Sequence, residues 1–246
     1  MKTVFFSFAH PDDETFTTGG LIAQLSKRED VSTIVYSATP GDAGKCGQPP
    51  ICKKEDLANV RTNELKKAVS ILGVNKLELD TFKDGTLHTI DPDVLFKRVQ
   101  TLLRQYKPTI VITFPPHGIS GHKDHTAISK ATLRAVQSLK GELNIEALYY
   151  ATIPESFIKE TQFPVFGDPD EAIDFTLSLT KENLETVRKA LLAHRTQHLS
   201  VERVFPTIYN EEKTFEKYNN QEHFIRIWTN DELIYMPNEL FATHHH

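Results

Sequence analysis

The chain has 246 residues, 39% hydrophobic and 25% charged, which is ordinary globular composition with enough apolar residues for one large core. Its formal net charge of -5, with no block of lysine and arginine, argues against a nucleic-acid partner. No stretch is long and apolar enough to cross a membrane, so the expected setting is the cytoplasm.

Residues 3–8 (TVFFSF) form a continuous apolar run that ends at a polar cluster, the pattern of a strand buried on both faces. The run is too short for a signal peptide, and His10-Pro11-Asp12-Asp13-Glu14 follows at once. Residues 15–28 then read as a helix with a glycine-rich first half, and residues 31–37 as a second strand. The loop after it carries glycines, prolines and both cysteines, Cys46 and Cys52. Without histidines beside them these read as free thiols of a reduced protein rather than as a zinc site.

Residues 55–72 show helical spacing and meet Gly73 where a capping glycine belongs. Residues 76–79 make a short strand. Asp91-Pro92 opens a helix to about Tyr106, with proline in its favoured first turn. Residues 109–114 (TIVITF) are a second fully apolar strand, 126–139 a helix and 146–151 a strand. Beyond them the pattern is less regular: a strand at 174–179, a helix at 181–197, a strand at 223–228, and a loop at 164–170 too short to link domains. The alternation predicts an α/β, Rossmann-like, mostly parallel sheet with helices on both faces and a less regular C-terminal part. A single domain over residues 1–243 is the simplest reading, with His244, His245 and His246 taken as the remnant of a purification tag.

Two clusters carry chemistry. Ala9-His10-Pro11-Asp12-Asp13-Glu14 ends the first strand, and Gly118-Ile119-Ser120-Gly121-His122-Lys123-Asp124-His125 follows TIVITF. In a doubly wound sheet of order 3-2-1-4-5 these strands are neighbours, and ligands bind outside their carboxyl ends. Imidazoles with carboxylates suit a borderline divalent metal, zinc above all, with three protein ligands and one open position. Spacing alone does not choose the three, and any of these aspartates could instead cap a helix.

AHPDDE followed by GHKDH resembles the LmbE-like/PIG-L family of N-acetylglucosaminyl de-N-acetylases. Further matches are GDAG at 41–44, RTNEL with ILGV at 61–74, Asp84-Gly85 and AHRTQ at 193–197, so the resemblance spans roughly residues 2 to 200. It implies zinc on His10, Asp13 and His125, with Asp12 as general base. It further implies that His122 stabilises the oxyanion, that Asp124 orients His122 and holds it charged, and that Arg61 helps hold substrate. Asp42 and Asp84 join Arg61 as polar substrate-binding candidates. Lys123 stands where the family often has proline, and Ser120 where some members place a tyrosine. The implied reaction is hydrolysis of the acetamide of an N-acetylated amino sugar, a small-molecule substrate; a homo-oligomer is left open. Two other readings stand beside it: a non-haem iron oxygenase, which shares the two-histidine, one-carboxylate set, and a non-catalytic sugar-binding module. A dinucleotide fingerprint is absent after the first strand.

Overall fold

The computed structural model describes residues 1–161, 165–210 and 215–229. The strands β1 (Lys2–Phe8), β2 (Val31–Ser37), β3 (Lys76–Leu79), β4 (Ile110–Thr113) and β5 (Ala147–Thr152) fall within a residue or so of the expected segments. Between them run the helices α1 (Asp13–Leu25), α2 (Leu57–Leu72), α3 (Pro92–Tyr106), α4 (Gly118–Gly121) and α5 (Lys123–Ser138). The remaining elements are α6 (Glu155–Thr161), β6 (Phe175–Ser178), α7 (Lys181–Ala193), α8 (His198–Val204) and β7 (Gln221–Thr229).

The strands form one seven-stranded sheet in the order β3-β2-β1-β4-β5-β7-β6. Pairing is parallel from β3 through to β5 and antiparallel where β7 joins β5 and β6 joins β7. Central strands read apolar because both their faces are covered: Val4, Phe5, Phe6 and Val111 have no exposed surface. α3 packs on α5, and α1 and α2 pack on α7, giving the two helix layers. The 3-2-1-4-5 order puts the carboxyl ends of β1 and β4 side by side, with Phe6 opposite Ile112 and Ser7 opposite Thr113.

The C-terminal part differs from the expected pattern. The helix expected over 181–197 stops at Ala193, because His194 leaves helical geometry (φ -81°, ψ 60°). A 3-10 turn (Arg195–Gln197) and α8 follow. α1 is interrupted at Thr18 (φ -132°, ψ 17°), which frees the N–H groups of Gly20 and Leu21. The Glu222 carboxylate of β7 accepts both, each at 2.8 Å, and the buried Lys217 ammonium donates to the same carboxylate. Gly20 permits this approach, since a Cβ there would lie 2.3 Å from a methyl of Leu179. Residues 230–243 of the expected domain and the tag residues 244–246 lie outside the described residues. Among the described residues no helix is long and apolar enough to cross a membrane.

Candidate active site

The β1 loop and the β4 loop meet as expected, and their donor atoms converge. His10 Nδ1 lies 3.1 Å from His125 Nε2. The Asp13 carboxylate approaches both rings, with Oδ2 at 3.5 Å from His10 Nδ1 and Oδ1 at 3.3 Å from His125 Nε2. Zinc bonds of about 2.0–2.2 Å place tetrahedral ligand atoms about 3.3–3.6 Å apart, so this spacing fits one ion. His10, His122 and His125 also bring nitrogens within 4.8 Å of one another. The set with Asp13 is tighter, and His122 Nδ1 is already engaged by the Asp124 N–H at 3.2 Å.

Hydrogen bonds at the far nitrogens fix both rings. His10 Nε2 faces Asp84 Oδ1 at 2.9 Å and Asp124 Oδ2 at 3.4 Å, so its proton sits there and Nδ1 offers a lone pair. His125 Nδ1 donates to the Gly118 carbonyl at 2.9 Å and leaves Nε2 as its donor atom. The Ala9 and His10 N–H groups hold Asp13 Oδ2 at 3.2 and 2.8 Å. Burial opposes charge on His10, yet the carboxylates of Asp124, Asp13 and Asp84 outweigh it and hold its pKa well above the usual range. Such a concentration of negative charge around two imidazoles suits a bound dication.

Asp12 lines the same cleft from a strained backbone, φ 102°, a left-handed conformation that non-glycine residues rarely adopt. The strain is held by its neighbours. The Asp12 N–H donates to Glu14 Oε2 at 3.0 Å, and His194 Nε2 meets Glu14 Oε1 at 3.1 Å. The Arg61 guanidinium binds the Pro11 carbonyl at 2.5 Å and Asp12 Oδ2 at 3.1 Å. Burial lifts the Asp12 carboxyl to about 6, with Arg61 pulling the other way. Glu14 and His194 escaped the sequence reading; AHRTQ marked the segment but not its contact with HPDDE.

The three substrate-binding candidates have partners within the protein. Arg61 faces the cleft but is buried, and its guanidinium holds the Gly41 and Pro11 carbonyls and Asp12. Gly41 is required here: its φ is +73°, and a Cβ would lie 2.3 Å from Arg61 Nη1. Asp84 lines the cleft and meets His10 Nε2, and Asp42 lies outside the cleft, accepting the Asp84 N–H at 3.0 Å.

The pairing of Asp124 with His122 also differs. The Asp124 carboxylate is taken by Gly85 N–H at 2.7 Å, His88 Nδ1 at 3.3 Å and His10, leaving only its backbone N–H on His122. Burial, with the neighbouring His10 and His125, pushes the His122 pKa down despite Asp124, which favours the neutral ring. Its Nδ1 accepts a hydrogen bond, which places the proton on Nε2. Nothing in the sequence distinguishes a carboxylate pointing at His122 from one pointing at His10, whose ring lies 4.7 Å away.

The cleft in front of these groups has a volume of about 350 Å³. Phe16, Thr17, Ser200, Arg203, Val204 and Tyr218 also line it. Ser120 lines it as well, with its hydroxyl 3.4 Å from His125 Nδ1, where the resemblance offered a tyrosine in some members. The tyrosine lining the cleft among the described residues is Tyr218, whose hydroxyl burial keeps protonated.

Comparison with known proteins identifies relatives of the chain. The family described as PIG-L: GlcNAc-PI de-N-acetylase matches residues 5–136. The "Probable N-acetyl-alpha-D-glucosaminyl L-malate deacetylase 2" of Bacillus subtilis (strain 168) is 30% identical, over 91% of this chain and 92% of its own. A 1D-myo-inositol 2-acetamido-2-deoxy-alpha-D-glucopyranoside deacetylase of Mycolicibacterium vanbaalenii is 31% identical, over 79% of this chain and 80% of its own. The N,N'-diacetylchitobiose deacetylase of Pyrococcus horikoshii shares the fold, with a TM-score of 0.66 at 21% identity over 92% of this chain and 84% of that one.

Proposed function

Because the chain belongs to the PIG-L family of GlcNAc-PI de-N-acetylases, we propose that it is a zinc-dependent amide hydrolase removing the acetyl group from an N-acetylglucosamine-type amino sugar or its conjugate. The observation that carries this reading is the convergence of His10 Nδ1, His125 Nε2 and the Asp13 carboxylate within 3.5 Å, with Asp12 beside them at the floor of an open cleft. Those three residues are assigned to the metal. A zinc ion there would supply Lewis acidity, bringing a bound water's pKa toward about 7 and polarising the acetamide carbonyl.

The protein's own groups do the rest. Asp12 is the general base: its carboxylate takes a proton from the attacking water and returns it to the leaving nitrogen, a role worth about 10²–10⁴-fold. A carboxyl raised to about 6 is ionised at neutral pH yet basic enough to accept that proton. Arg61 aims it by holding Oδ2. His122 donates its Nε2 proton to the developing oxyanion as a neutral imidazole, so it needs no charge before the reaction begins. Asp84 and Asp124 fix the His10 ring from behind, as carboxylates behind metal-bound histidines do.

A cytoplasmic location belongs to the same proposal, supported by Cys46 and Cys52 standing as free thiols. The test is acetate release from a panel of N-acetylglucosamine conjugates. Turnover should vanish when a chelator strips the metal and return with zinc. Turnover that survives complete metal removal, or no acetate from any conjugate, would overturn the reading.

A further inference from the structure

Two arginines line the cleft, and they are in opposite situations. Arg61 is buried, and its guanidinium donates to two backbone carbonyls and to Asp12. Arg203 is exposed and makes no hydrogen bond or ion pair to any described residue. It sits on α8, where Ser200, Arg203 and Val204 line the cleft together at the three- and four-residue spacing of one helix face. That helix is firmly seated. Val201, on its other side, is buried, and the ring of Phe205 at its end stacks on Phe16 of α1 with centroids 5.9 Å apart.

The charged groups of the cleft therefore differ in how they are engaged. Asp12, Asp13 and Asp84 are each tied to a histidine, an arginine or the backbone, whereas Arg203 is not. With a dication on His10, Asp13 and His125 offsetting the carboxylates, the unpaired Arg203 guanidinium is the group of the cleft left to meet an anion on the substrate. In the deacetylase reading the acetamide lies against Asp12, Asp13 and His122, which leaves α8 to the rest of the glycoside, its aglycone included.

Taking the deacetylase reading as the premise, we propose that Arg203 is the specificity-determining residue of the cleft, binding a carboxylate or similar anion on the aglycone. Ser200 and Thr17 offer hydroxyls beside it, and Phe16, Val204 and Tyr218 supply the apolar walls. A planar guanidinium can hold a carboxylate through two parallel hydrogen bonds, which a lysine at the same place cannot reproduce.

The experiment compares two α-glycosides of N-acetylglucosamine of equal length, the carboxymethyl glycoside and the 2-hydroxyethyl glycoside, on the zinc-loaded enzyme. In R203A the ratio of kcat/KM for the anionic over the neutral glycoside should fall about tenfold, mainly through KM. R203K should restore part of it and R203E should invert the preference. Calorimetric titration of both glycosides onto the same proteins carrying Asp12→Asn, which keeps zinc but lacks the base, gives the ratio of affinities without turnover. An anionic-to-neutral ratio within about twofold of wild type in R203A, by both measurements, overturns the assignment. If neither glycoside is hydrolysed but the affinity ratio still falls, the deacetylase reading fails and the anion site stands.

Discussion

His10 Nε2 and Asp84 Oδ1 lie 2.9 Å apart, on the side of the imidazole away from His125 and Asp13. The ring therefore has one face committed to a carboxylate and the other free to coordinate. Asp84→Asn keeps the volume but weakens the acceptor that holds the His10 proton on Nε2. We expect zinc affinity about 10–100-fold lower, measured by competition with a chromogenic chelator. Unchanged zinc affinity with a raised KM would instead make Asp84 a substrate-binding residue.

Asp12 and Asp13 are adjacent in sequence but face different tasks. Asp12→Asn should retain stoichiometric zinc and lose about 10²–10⁴-fold in kcat, because an amide cannot accept the water's proton. Asp13→Ala should lose the metal itself. Elemental analysis of the two purified variants separates the roles, and equal metal loss in both would show the assignment to be wrong.

The pH profile follows from the directions of the two shifts. Burial raises Asp12 to about 6, so the protonated, inactive form accumulates as pH falls through that value. A dication beside it favours the carboxylate, which moves the acid limb of kcat/KM to or below about pH 6. His122 is pushed down, so it is already neutral on the plateau and contributes no basic limb. The profile expected is a single acid limb rather than a bell. A basic limb that disappears in His122→Ala would restore the charged-imidazolium role implied by the family resemblance.

Gly41 is a test of the Arg61 clamp that leaves every charged group in place. Gly41→Ala adds a methyl 2.3 Å from Arg61 Nη1 at a φ of +73°. Stability should fall by about 1–3 kcal/mol, read as a lower Tm. Activity of the folded fraction should fall further, because a displaced guanidinium no longer holds Asp12. A variant with wild-type Tm and kcat would show that the loop relaxes without moving Arg61.

Much of the fold was legible because β1 and β4 are apolar on both faces and five strands alternate with helices. That pattern implies a parallel sheet and brings His10, Asp13 and His125 to neighbouring strand ends. The swap that places β7 between β5 and β6 was not legible, since antiparallel addition at a sheet edge leaves no mark in the alternation. Within the site, the residue types were readable and the aim of each side chain was not. Asp124 and Asp84 both turn to His10, and the state of His122 depends on burial and on two other histidines. α8, which carries Arg203, begins just beyond the helix expected over 181–197, where no element was expected, and the break at His194 that separates it lies in backbone angles.

The brace on α1 bears on the order in which the molecule can be completed. The residues assigned to the metal and to catalysis are all made by the time the ribosome reaches His125. The carboxylate that takes up the loose Gly20 and Leu21 amides belongs to Glu222, in the last strand of the sheet. A nascent chain halted after α7 carries every proposed ligand, yet the helix that begins at Asp13 lacks its support. The brace on the helix that presents Asp13 thus comes from a strand far later in the chain, one that lies between β5 and β6.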